Sequence, residues 1–204
     1  MYKKELIDLL DRLSKCIIGD WYVCDGALLG IIRDGGLIEY DDDIDIYLHP
    51  TSKIDYNKLD SVGLKSQIYY GGLEKIYDPN IQSKKRLNPW SEYCSYVRHN
   101  KNAGIKMSRT ELLSIASVTY HNEKIIPLFR KPNIDVFYLK KDINNLYHLK
   151  NMNHMYPFKF KNIETKIDTT LGIPIRIPVD AEDHLNKIYG CDWRINNPDF
   201  QHFK

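Results

Sequence analysis

Asp41-Asp42-Asp43-Ile44-Asp45 sets four carboxylates within five residues and runs straight into apolar Ile46-Tyr47-Leu48. The apolar run predicts a strand over 44–48, ended by Pro50. Side chains alternate faces along a strand, so Asp43 and Asp45 share one face and Ile44 and Ile46 the other. Two like charges this close repel unless a cation lies between them. Hard divalent ions take such oxygen ligands and complete their shell with substrate phosphates. The ordinary reading of an acidic run is a solvated loop in front of a strand. Against it stands the entry into an apolar strand, where isolated charge is costly.

Two neighbours strengthen the metal reading. Downstream, Asn133-Ile134-Asp135-Val136-Phe137-Tyr138-Leu139 reads as a strand with one Asp among apolar residues. If it pairs with the 44–48 strand, Asp135 completes a three-carboxylate site. Upstream, Gly26-Ala27-Leu28-Leu29-Gly30-Ile31-Ile32-Arg33-Asp34-Gly35-Gly36 follows the short apolar strand Trp21-Tyr22-Val23-Cys24. A glycine at a strand-to-helix turn lets backbone N–H groups face a phosphate at the helix N-terminus. Arg33, about two turns on, offers a charge-assisted contact.

The rest of the chain supplies a frame. Leu6, Leu9, Leu10, Leu13 and Ile17 recur at helical spacing and predict an amphipathic helix over 3–17. Asp25-Gly26 reads as a turn, residues 27–32 as a helix broken by Gly35-Gly36, and residues 51–60 as a helix capped by Thr51 or Ser52. Strands are expected at 67–70, 93–98 and 114–120. Ile173-Pro174-Ile175-Arg176-Ile177-Pro178 is extended, because its prolines forbid a helix. Asp180 then caps a helix through Tyr189, closed by Gly190. With no repeat, low-complexity tract or linker, the expectation is one α+β domain over residues 1–204.

Bulk composition excludes several classes. A chain of 204 residues with 43% hydrophobic and 27% charged residues can bury a core without staples. A net charge of +2 argues against coating nucleic acid. Cys16, Cys24, Cys94 and Cys191 show no metal-ligand spacing and read as reduced core residues. Neither a secretory h-region nor a membrane-spanning run is seen, which points to the cytoplasm. Arg98, Lys106 and Arg109 read as solvated surface, His99 and His121 as ordinary surface or core histidines, and Trp193 as a packing residue with Tyr189 and Asp192 beside it.

The segment GALLGIIRDGGLIEYDDDIDI, from Gly26 to Ile46, resembles the core motif of the LicD/fukutin-type phosphotransferases. That motif runs Gly-Thr-Leu-Leu-Gly, an Arg, a glycine-containing turn and Asp-Asp-Asp-x-Asp. Ile134-Asp135-Val136-Phe137 is similar to the family's Ile-Asp-Ile-Phe, and Tyr189-Gly190-Cys191-Asp192-Trp193 to its Tyr-Gly-x-Asp-Trp ending. Core motifs at 22–48 and 133–139 and a strand–helix element at 173–193 follow family order. Ala27 stands where the family carries Thr, and Glu39-Tyr40 where it carries Pro-Trp.

The resemblance implies a nucleotidyltransferase-like fold, a small mixed sheet flanked by helices. It implies a Mg²⁺ or Mn²⁺ cofactor on Asp43, Asp45 and Asp135, the catalytic set, with Gly26, Ala27, Arg33, Asp41 and Asp42 toward the substrate. It also implies transfer of a phospho-alcohol, such as phosphocholine or ribitol phosphate, from a CDP-activated donor to a glycan hydroxyl. Two alternatives stay open: a small-molecule nucleotidyltransferase using a nucleoside triphosphate, and a non-catalytic nucleotide- or protein-binding module.

Overall fold

Helix α1 (Lys3–Ser14) turns Leu6, Leu9, Leu10 and Leu13 into the core. Each fully buried leucine contributes roughly 1.5–3 kcal/mol. The helix stops short of the expected residue 17 because Ile17–Ile18 (β1) leaves to pair antiparallel with Lys53–Ile54 (β4). That pairing also corrects the helix expected over 51–60. Its first residues are spent on β4, so helix α3 spans only Tyr56–Ser61. Its cap is Asp55, which accepts from the Lys58 N–H at 3.1 Å. Ser52 instead donates its hydroxyl to the Asp20 carbonyl at 2.8 Å.

The computed structural model describes residues 2–39, 41–68, 73–81, 132–150, 158–161 and 163–195. The chain divides into two units, Met1–Ile81 with Pro132–Lys204, and Gln82–Lys131. All described residues belong to the first. Tyr40, Cys94, the strands expected at 93–98 and 114–120, and Arg98, His99, Lys106, Arg109 and His121 lie outside them.

Among the described residues the centre is a mixed six-stranded sheet. Strand β2 (Trp21–Cys24) pairs antiparallel with β3 (Asp43–Leu48), which pairs in parallel with β7 (Asn133–Lys141). Strand β7 pairs antiparallel with β6 (Glu74–Tyr77), and β6 with β5 (Lys65–Ile68). The far end of β7 takes on β8 (Tyr147–Leu149). The strand expected over 67–70 meets β5 at 67–68, and β5 begins earlier, at Lys65; residues 69 and 70 lie outside the described residues. Between β2 and β3 lies helix α2 (Asp25–Asp34), packed on both strands.

Beyond the sheet, β9 (Thr165–Asp168) and β10 (Ile175–Pro178) form an antiparallel pair, with β10 against β2. Helix α4 (Ala181–Tyr189) follows and packs on α2. Asp180 occupies its N-cap position, but its side chain makes no capping hydrogen bond. Gly190 closes the helix at φ 83°, a conformation few L side chains adopt. Trp193 is buried and donates its indole N–H to Asn186 Oδ1 at 2.8 Å. Among the described residues no helix is long and apolar enough to cross a membrane.

Alternation gives the sheet two different faces. Ile44, Ile46, Ile134, Val136 and Ile76 join the leucines of α1 in an aliphatic core. The other face is aromatic, with Tyr22, Tyr47, Phe137, Tyr147 and Phe160 packed together. Asp43, Asp45 and Asp135 fall on the aromatic face by the same two-residue period.

Candidate active site

The site is laid out by register. Asp45 lies opposite Cys24 on β2 and opposite Asp135 on β7, and Asp135 lies opposite Lys75 on β6. A transverse row Cys24–Asp45–Asp135–Lys75 thus crosses four strands. One step along the strands, Asp43 faces Asn133. In the other direction, Tyr22, Tyr47 and Phe137 form the next row, and Tyr47 meets both neighbouring rings edge-on. The carboxylates therefore stand at one end of an aromatic floor.

Helix α2 brings a fourth carboxylate. It begins at Asp25, not after it, and Asp25 is buried. Its φ of 47° lies in the left-handed region, uncommon for a residue with a Cβ. Such strain persists only where surrounding structure holds it. Here the Tyr47 hydroxyl donates to Asp25 Oδ2 at 3.2 Å, and the Cys24 thiol also bonds the carboxylate. Gly26 follows in the first turn. A Cβ at Gly26 would meet Asp41 Oδ2 at 3.3 Å, so Asp41 stands over the opening of the helix.

Electrostatics follow from partial burial of like charges. Withdrawal from water, then the charge of Asp135, pushes the Asp43 carboxyl up to about 7. Burial raises Asp25 to about 6, against the hydrogen bonds from Tyr47 and Cys24. Asp45 is raised well above the usual carboxylate range by burial and then by Asp43, Asp25 and Asp135. Asp135 is raised by burial, with Lys75 opposing. Burial disfavours the Lys75 ammonium, but Asp135, with Asp43 and Asp45, outweighs it and raises its pKa.

This donor set suits a hard divalent cation, since hard oxygens are in excess over positive charge on one partly buried face. It is not drawn together in advance. Among the described residues no three His, Cys, Asp or Glu side chains are disposed as a ready coordination cluster. Asp135 is closed on Lys75, whose Nζ donates to Oδ1 at 2.7 Å and Oδ2 at 2.8 Å. Asn133 Nδ2 adds a donor to Oδ1 at 2.6 Å. Carboxylates that repel one another spread apart without a cation, as the mutual charge effects of Asp43, Asp45 and Asp135 imply.

The structure brings Asp41, Asp43, Asp45 and Asp135 to one end of the sheet, with the Gly26 turn beside them. The Asp42 carbonyl accepts from the Asn133 N–H at 3.4 Å, joining β3 to the start of β7, and the Asp42 charge bears on Asp43 and Asp135. The Ala27 methyl is buried in the aliphatic core. Only its backbone N–H, in the first turn of α2, is placed for an anion. Arg33 lies at the other end of α2, about 12 Å from the turn along the helix axis. It forms a two-pronged pair with the Asp34 carboxylate, both contacts at 2.8 Å.

Three site residues escape sequence reasoning. Asp25 looks like half of a turn, and its burial depends on α2 folding back over β3. Lys75 looks like a surface lysine until β6 is paired with β7. Asn133 carries a signal, a polar residue two positions before Asp135 on the same face, but no reason to weigh it.

No match to the chain is found among curated proteins. Residues 20–79, which hold α2, the acidic strand and Lys75, match the family model described as LicD/FKTN/FKRP, nucleotidyltransferase domain.

Proposed function

We propose that the protein is a metal-dependent phosphotransferase of nucleotidyltransferase-like fold, moving a phospho-alcohol from a CDP-activated donor to a glycan hydroxyl. One observation carries the reading: Asp45 and Asp135 lie side by side in a parallel ladder, flanked by Asp43 and Asp25, with a helix N-terminus at the same end. The family description matched by residues 20–79 supports a transferase of this general type.

Asp43, Asp45 and Asp135 are the residues that would hold Mg²⁺ or Mn²⁺. When bound, the ion would offset charge on the donor's phosphates. The first-turn N–H groups of α2, including that of Ala27, face the same anion. The acceptor hydroxyl attacks the phosphorus that bears the alcohol. A new oxygen–phosphorus bond forms, the bond to the CMP oxygen breaks, and CMP leaves. Asp135 orients the attacking hydroxyl and takes its proton. Tyr47 holds Asp25, and Asn133 holds Asp135, so each carboxylate keeps its direction.

The deciding measurement is calorimetric binding of CDP-choline, CDP-ribitol, CTP and ATP, each with Mn²⁺ and again with EDTA. Binding of one CDP-alcohol that vanishes with EDTA is the expected result. Binding of a triphosphate alone would replace it with nucleotidyl transfer. Silence from all four ligands would sink the donor assignment.

A further inference from the structure

Lys75 is an ammonium set directly into the carboxylate row. It faces Asp135 across the β6–β7 ladder and donates to both of its oxygens. The two side chains are 14% and 9% exposed, so water screens the contact little. Asn133 also donates to Oδ1, which leaves both oxygens of Asp135 already engaged by protein donors. The Lys75 charge bears on Asp43 and Asp45 as well, so one ammonium offsets several carboxylates.

A lysine is suited to such a place. It is a compact point charge on a flexible four-carbon stem, and it can leave without dismantling a rigid fork. A divalent cation at the row would repel the ammonium and draw on the same two carboxylate oxygens. The two therefore compete for Asp135.

We propose that Lys75 is a built-in counter-ion that competes with a divalent cation for Asp135, so that binding the cation and releasing the lysine from that carboxylate are one exchange. The inference rests on the cation-binding reading of the site. Cation affinity is then set below what the carboxylates alone would give, and the row stays intact without the ion. The released ammonium remains tethered to β6, on the face an anionic ligand would approach.

The test is Mn²⁺ binding to the full chain without any nucleotide, by titration calorimetry, with thermal midpoints measured with and without Mn²⁺. Lys75→Met should tighten Mn²⁺ binding by about tenfold or more, the scale on which groups around metal ligands act. It should also lower the Mn²⁺-free midpoint and widen the rise that Mn²⁺ produces. Lys75→Arg keeps the charge and grips a carboxylate with two parallel donors, so it should bind Mn²⁺ more weakly than wild type. This variant keeps the test open if Lys75→Met does not fold. Wild-type or weaker binding in Lys75→Met overturns the exchange, and so does wild-type or tighter binding in Lys75→Arg. If neither wild type nor variants bind Mn²⁺, the cation reading itself falls and the exchange falls with it.

Discussion

Asp45 has Asp43 behind it on its own strand, Asp135 beside it on β7 and Asp25 near it at the start of α2. Without a cation these charges work against folding. Asp45→Asn should therefore raise the metal-free stability at pH 8, by on the order of 1 kcal/mol, and abolish stabilisation by Mn²⁺. Thermal melts with and without Mn²⁺ read both effects, and a variant that melts earlier but keeps its Mn²⁺ response would contradict the ligand assignment. His184 is the opposite kind of residue. It is buried, stacks on Phe160 at 4.3 Å, and its Nε2 has no hydrogen-bond partner. Burial lowers its pKa to about 3 from an ordinary 6.5. The unfolded chain takes the proton first, so the stability of neutral His184 is full above about 6.5 and is lost as pH falls toward 3. His184→Phe should flatten that acid loss, on the order of a few kcal/mol, in denaturant titrations between pH 6.5 and pH 4. That Asp43, Asp45 and Asp135 share one face was legible from the two-residue period of two apolar strands. Asp25, Lys75 and His184 were not, since a carboxylate at a turn, a lysine in a short strand and a histidine on a helix are all ordinary until their neighbours are known.

Helix α2 shows how an element sets the acidic strand in place. It ends at Asp34, where Gly35 takes φ 70° and the Gly36 N–H returns to the Gly30 carbonyl at 3.2 Å. The chain then passes so close to Gly30 that a Cβ there would lie 2.5 Å from the Gly36 carbonyl oxygen and 2.9 Å from the Ile38 nitrogen. Both are backbone atoms and cannot swing aside. Gly30→Ala should cost about 1–3 kcal/mol, while Gly36→Ala, with open space around it, should stay within about 0.5 kcal/mol of wild type. Equal denaturation midpoints for the two variants would refute the close approach. The turn at Gly35-Gly36 was readable, because glycine pairs stop helices. The need for glycine at position 30 was not, as it arises from a loop folding back on the helix. For a similar reason residues 53–54 became a strand: β1 offered them a partner that local propensity does not register.

Over the whole molecule, titration of the carboxylate cluster opposes that of His184. The Asp43 carboxyl is raised to about 7 from 3.8, so the folded protein holds a proton that the unfolded chain has lost. Metal-free stability should fall as pH rises from about 4 to about 7, where His184 alone would make it rise toward 6.5. A bound divalent cation takes the place of the proton, so Mn²⁺ should stabilise the protein little at pH 5 and most at pH 8. Melting points across that range with and without Mn²⁺ check the sign, and a Mn²⁺ effect that shrinks as pH rises would reverse it. The α+β class and the mixed sheet were readable from alternation and the two apolar Asp-bearing segments. The order of strands was not, because β6 reaches its place only through pairing with β7.

That order has a consequence for how the protein comes into being. The segment matched by the family model supplies both neighbours of β7, but β7 itself begins only at Asn133. As the chain leaves the ribosome, β3 and β6 are made long before the strand that joins them. Until it arrives, each offers an unpaired edge to any other chain. The acidic face is therefore completed by pairing between strands far apart in sequence, a step that local helix and hairpin formation cannot hasten. An immature chain carries the acidic motif without the centre it belongs to.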